Sequence, residues 1–250
     1  MNRRSFLTRT LGTLPIYTLL AELGAAQALA GAKGSARRWI AAQQELALAL
    51  AGGEMPPATW QAEVEALADG VDLAELAAEI AGARSKLVGR ALPSYPVKRS
   101  LAFLDERGER RRLRYACALF SFDPDNVITP HAHRHMVSAH LVMEGAFRVR
   151  TFDRLRDEEG ALIIRPTADE VMGVGAVSTM SAERDNVHWF VPQAGRSVTF
   201  DVIVSGLDPE APRYEIQAVD PVRGERLPDG SLRAPVLGFE ESSRFYTASI

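Results

Sequence analysis

Beyond Pro96 the chain breaks into short runs with apolar residues at every second position, the repeat of a strand that buries one face. Leu113, Tyr115, Cys117 and Leu119 make one such run, and Phe147, Val149 and Thr151 another. Turn-forming residues separate the runs, as at Asp123-Pro124-Asp125-Asn126 and Ala194-Gly195. Many short strands at near-regular spacing predict a barrel or a sandwich, and no repeat is long enough for a propeller or a solenoid. The tail from Pro209 to Ile250 carries Pro212, Pro221, Pro228 and Pro235 with few apolar runs. It is expected to wrap the barrel and to return a strand at Phe239 to Tyr246.

Upstream the texture is helical. From Ala36 to about Gly89 the chain is rich in Ala, Leu and Glu, with Leu46, Leu48 and Leu50 and then Val64, Leu67, Val71, Leu76 and Ile80 at helical spacing. Gly52-Gly53 with Pro56-Pro57, and then Asp69-Gly70, divide it into two or three short helices. Residues 31–96 therefore read as a helical segment, a cap or a contact between copies in a homodimer, and Pro93 and Pro96 mark its boundary with residues 97–250.

The first thirty residues read as an address. Arg3-Arg4 precede Ser5-Phe6-Leu7, a weakly apolar stretch runs from Leu11 to Leu20, and Ala28-Leu29-Ala30 offers small residues at alternate positions for cleavage. This is the layout of a twin-arginine export signal, with the mature chain starting at Gly31 in the periplasm. Arg9 and Glu22 bracket fewer apolar residues than the roughly 20 a bilayer needs, so no lasting membrane span is expected.

A formal charge of −3 shows no excess of cations to neutralise phosphates, which argues against a nucleic-acid partner. The single cysteine, Cys117, cannot close an internal disulfide or build a Cys-rich zinc module.

All five histidines fall between residues 131 and 188, and His131, His133, His135 and His140 lie within ten residues. Residues two apart on a strand share a face, so His131 and His133 can aim both imidazoles at one point. His188 lies outside the cluster and would supply the third ligand from another strand. Neutral imidazole suits Fe, Zn, Cu and Ni. His140 and Ser138 share a strand face and are expected to point inward as candidate catalytic residues. For His140 three roles stay open: fourth ligand, general base, or satisfied core histidine. His135, near a turn, is read as solvent-exposed or as an outer hydrogen-bond partner. Asn186 is a candidate to support the site, Glu144 is read as an exposed non-ligand, and Arg114, Arg148 and Arg150 would meet a substrate carboxylate only if they faced inward.

These residues carry a resemblance. His131-Ala132-His133, followed by Ala139-His140-Leu141-Val142-Met143-Glu144-Gly145, resembles the first motif of the cupin superfamily, and Glu183 to Phe190 resembles the second. The resemblance spans roughly Ala118 to Ser205 and implies a mainly β double-stranded β-helix, the cupin barrel, behind the small N-terminal helical segment. In most cupins a glutamate ligand stands where this chain has Ser138. A site with three histidines and no carboxylate is similar to that of the thiol dioxygenases, relatives of cysteine dioxygenase. That likeness implies Fe(II), a small thiol or other small anionic substrate, and O2. The serine-histidine-tyrosine set of cysteine dioxygenase is missing, because Asn186 and Phe190 flank His188 where Ser and Tyr would stand. Zn, Mn or Ni are the alternative metals. The rival functions are a non-catalytic periplasmic cupin that senses or sequesters a ligand, and a zinc or manganese isomerase or lyase; export favours these rivals.

Overall fold

A computed structural model describes residues 34–193 and 195–247. The export-signal reading falls on residues 1–30, outside the described residues. The described chain opens with helices α1 (Ser35–Ala51), α2 (Pro57–Ala68) and α3 (Leu73–Gly82). Their starts follow local chemistry. Pro57 stands in the first turn of α2, where its missing N–H costs nothing, and Asp72 caps α3 by accepting from the N–H groups of Ala74 (2.9 Å) and Glu75 (3.1 Å).

The strands are β1 (Arg84–Gly89), β2 (Val97–Ala102), β3 (Ala116–Phe122), β4 (Ile128–Arg134), β5 (Met136–Glu144), β6 (Ala146–Glu158) and β7 (Ala161–Gly173). They continue with β8 (Val177–Met180), β9 (Val187–Pro192), β10 (Ser197–Ser205), β11 (Glu215–Val219), β12 (Glu225–Arg226) and β13 (Leu232–Leu237), before helix α4 (Phe239–Phe245). They form two antiparallel sheets, ordered β1-β2-β3-β10-β5-β8 and β11-β4-β9-β6-β7-β13-β12.

The pairing defines the topology. Starting from the β6–β7 hairpin, β5 pairs β8, β4 pairs β9 and β3 pairs β10. One long hairpin is thus wound upon itself, so successive strands alternate between sheets, giving the jelly roll or double-stranded β-helix expected from the motifs. The second sheet also curls, since β11 pairs both β4 and β13. That curl encloses Ala132, Phe152, Leu162, Ile164, Val187 and Val219.

The largest apolar layer lies outside the barrel. The outward face of β5 (Val137, Ala139, Leu141, Met143) and that of β10 (Val198, Phe200, Val202, Val204) pack beneath the three N-terminal helices. Trp39 meets Phe200 at 5.8 Å between ring centroids, and Trp60 is fully buried in the same layer. Inside the barrel, Phe122, Val142, Phe147, Val149 and Phe190 fill one part of the interior.

Three expectations need correction. Sheet structure begins at Arg84, before the Pro93–Pro96 boundary, because β1 pairs with β2 across it. The tail does more than wrap: β11, β12 and β13 extend the second sheet. Phe239 to Phe245 is helix, not strand. Glu240 and Glu241 in its first turn and Arg244 in its last complement the helix dipole, and Glu240 pairs with Arg244 one turn on at 3.1 Å. Tyr246 then folds under, its ring 4.9 Å from that of Trp189 and its hydroxyl donating to Asp220 Oδ1 at 2.6 Å.

Candidate metal centre

His131 and His133 stand on β4 with one residue between them, and His188 on β9 lies directly opposite His131 in the β4–β9 register. Strand pairing therefore brings together imidazoles that are 57 residues apart in sequence. His188 Nε2 is 3.1 Å from His131 Nε2 and 3.3 Å from His133 Nε2. All three residues are buried, with exposures of 8%, 6% and 1% for His131, His133 and His188.

Burial pushes each imidazole toward its neutral form. His131 is lowered to about 4, chiefly by desolvation, with the Thr129 carbonyl opposing the shift. His133 and His188 are pushed well below their ordinary range, first by desolvation and then by neighbouring imidazoles. Neutral imidazole is the form that binds metal.

Hydrogen bonds around the rim orient the donors. His131 Nδ1 donates to the Thr129 carbonyl at 2.7 Å, which leaves the lone pair on Nε2, the atom turned toward its neighbours. His133 Nδ1 lies 3.1 Å from Met136 Sδ. Asn186 Nδ2 donates to the carbonyls of His133 (2.9 Å) and Ser181 (2.8 Å), fastening the loop before β9 to β4. Asn186 is thus placed as a support for the site.

The donor set fits a metal ion. His131, His133 and His188 would hold the ion, since one ring nitrogen from each lies within 4.8 Å of the other two. No carboxylate joins them: among the described residues, His131, His133 and His188 alone form the converging donor group.

His140 is not part of that group. Its Nε2 is 2.9 Å from Ser138 Oγ and its Nδ1 is 2.8 Å from Asp201 Oδ2, so both ring nitrogens are engaged. Its ring nonetheless packs against that of His188, with centroids 4.8 Å apart. Ser138 and His140 face the interior, as their spacing predicts. His135 sits at the β4–β5 corner with a left-handed backbone (φ 59°) and its Nδ1 3.7 Å from Asp208 Oδ2.

The arginines singled out by spacing lie elsewhere. Arg148 makes two 2.7 Å hydrogen bonds to Asp169 in the open, Arg150 lies over the Trp189 ring, and Arg114 holds the carbonyls of Ser205 and Gly206. Arg154 carries no motif in the sequence. It lines an open cavity of about 350 Å³ together with His133, Arg134, Arg156, Asp157 and Asn186. Burial lowers Arg154 to about 10, and its Nε donates to Asp157 Oδ1 at 2.7 Å. Asp201 is a carboxylate amid Phe200, Val202 and Val204 in a buried strand, and that misfit is its one signal in the sequence.

No protein-family model matches the chain, and no curated protein matches it. Among solved structures it is similar to KdgF from Halomonas sp., at 16% identity and a TM-score of 0.33 over 48% of this chain and 84% of that one. A sugar phosphate isomerase of the cupin superfamily from Silicibacter pomeroyi aligns at 19% identity and 0.30, over 43% of this chain and 59% of its own. Procruciferin, an 11S globulin from Brassica napus, aligns at 10% identity and 0.36, over 52% of this chain and 29% of that chain. The strand pairing itself defines the fold. No helix among the described residues is long and apolar enough to cross a membrane.

Proposed function

We propose that the protein is a metal-dependent cupin oxygenase in which His131, His133 and His188 hold Fe(II), with a small thiol or another small anionic molecule as substrate and O2 as co-substrate. The observation that carries this reading is the donor set: three converging, buried, neutral imidazoles without a carboxylate. Neutral donors leave a divalent charge uncompensated, which favours an anionic ligand on the remaining positions. Bound there, the ion would supply Lewis acidity and, as iron, redox chemistry with O2.

The chain's own residues hold and shield the site. The Thr129 carbonyl fixes the orientation of the His131 ring, and Asn186 ties the His133 backbone to the loop before β9. Phe190 packs its ring edge-on to His188 at 5.4 Å and forms part of an apolar wall with Val142 and Phe147 that keeps water from that side. Ser138 and His140 bring polar groups to the same interior. Export by the twin-arginine route to the periplasm belongs to the proposal; its support is the Arg3-Arg4 pair and the cleavage-like Ala28-Leu29-Ala30.

The test is elemental analysis followed by oxygen uptake with a panel of small thiols at matched iron loading. Thiol-dependent uptake with sulfinate formation is the expected result, and Ser138→Glu should raise metal affinity while lowering turnover by occupying an open position. An iron-loaded protein that consumes no oxygen with any thiol would sink the oxygenase. The second reading, a module that holds metal without turnover, draws on the burial of all three imidazoles.

A further inference from the structure

Beside the three converging histidines the interior holds a second polar chain, Ser138–His140–Asp201. Strand register builds it: His140 of β5 and Asp201 of β10 are direct partners, and Ser138 lies two residues before His140 on the same face. Asp201 is 1% exposed, and its Oδ2 is 2.8 Å from His140 Nδ1. Its other oxygen, Oδ1, is buried with no hydrogen-bond partner among the described residues. A buried carboxylate with one oxygen unmet is expensive, and a strand core is served as well by an apolar residue of similar size. Stability alone therefore gives no account of Asp201.

The chemistry of its end groups sets the direction of the chain. A carboxylate only accepts, so the proton between Asp201 and His140 sits on Nδ1. A neutral imidazole protonated there bears its lone pair on Nε2, which accepts the Ser138 hydroxyl proton at 2.9 Å. Ser138 Oγ is then left with lone pairs only, in the interior where the His140 ring packs against His188.

We infer that Asp201 is a positioning residue: through His140 it holds the Ser138 hydroxyl as an acceptor turned to the three-histidine centre. The site thereby favours a small ligand carrying a hydrogen-bond donor, such as a hydroxyl, beside its metal-binding atom. The ligand preference rests on the proposed metal centre; the direction of the chain does not.

The experiment has two arms. In metal-free protein labelled with 15N-histidine, long-range 1H–15N correlation reads the tautomer of each imidazole. The expected result is His140 protonated on Nδ1 in wild type and losing that strict form in Asp201→Asn, whose amide can donate where the carboxylate could not, while His131 keeps its own tautomer. A proton on His140 Nε2 in wild type, or an unchanged tautomer in Asp201→Asn, would overturn the inference. In the second arm, Co(II)-loaded protein is titrated with 2-mercaptoethanol and with ethanethiol, binding being followed by the thiolate-to-metal absorption. Wild type should prefer the hydroxyl-bearing thiol by roughly 2–10-fold, the worth of one hydrogen bond, and Asp201→Asn and Ser138→Ala should each lose that preference. Equal preference in all three proteins would overturn the ligand assignment. Failure of wild type to take up Co(II) would instead overturn the proposed function, a distinct result because the tautomer is read without metal.

Discussion

The two faces of β5 and β10 behave in opposite ways. Outward, Val137, Ala139, Leu141 and Met143 with Val198, Phe200, Val202 and Val204 disappear under the N-terminal helices in an apolar layer. Inward, the same strands present Ser138, His140, Thr199 and Asp201 to a polar interior shared with the three converging histidines. A barrel filled with imidazoles and a carboxylate gives up apolar burial at that end. The helical layer supplies burial on the other side of the same strands, so rigidity and chemistry are carried by opposite faces of one sheet.

Mutations on the two faces should therefore separate stability from metal binding. The largest effect belongs to the interior: His188→Ala removes the imidazole whose Nε2 lies within 3.3 Å of the Nε2 atoms of both partners. It should cost more metal affinity than the 10–100-fold loss typical of removing an outer partner, by elemental analysis after dialysis. In the helical layer, Trp60→Ala should cost about 3–5 kcal/mol of unfolding free energy by denaturant titration, yet leave the metal content of the folded fraction unchanged. Parallel loss of both properties in either variant would erase the distinction.

Acid should act on the interior. His131 folds with a value of about 4 against an ordinary 6.5, so the unfolded chain takes up its proton first as pH falls. The stability of metal-free protein should be full above about pH 6.5 and decline toward pH 4, by on the order of 3 kcal/mol for this residue, as denaturant midpoints across that window would show. A flat profile would mean that the imidazole is hydrated in the fold. Next comes Asn186→Ala, which removes both hydrogen bonds to the His133 and Ser181 carbonyls; about 1–3 kcal/mol of stability and a loss of metal affinity smaller than that of His188→Ala are expected. The smallest effect is at Arg148→Ala, whose partner Asp169 shares its exposure to solvent; an unfolding midpoint close to that of the wild type and no change in metal content are expected.

The barrel and its histidines were legible because both obey short-range rules. Alternating apolar positions mark strands, and a His-x-His spacing marks two side chains on one face. The strand partner of β4 was not written locally; only the register that sets His131 opposite His188 supplies it. Asp201 escaped for a related reason: its meaning comes from pairing with His140 across two strands far apart in sequence. The misread tail shows the limit of counting prolines, since Pro235 sits within a strand at a position where the ladder still forms. At Phe239–Phe245 the decisive signal was charge placed at the ends of a short helix, which a search for alternating apolar residues overlooks.

Whether the three imidazoles hold the metal is decided by elemental analysis of the wild-type protein and of a His131→Ala/His133→Ala/His188→Ala triple variant, both purified from the native compartment. About one equivalent of a divalent metal, iron first, is expected in the wild type and none in the variant. Metal retained at full stoichiometry by the variant, or a wild type that neither carries metal nor takes it up on titration, would contradict it.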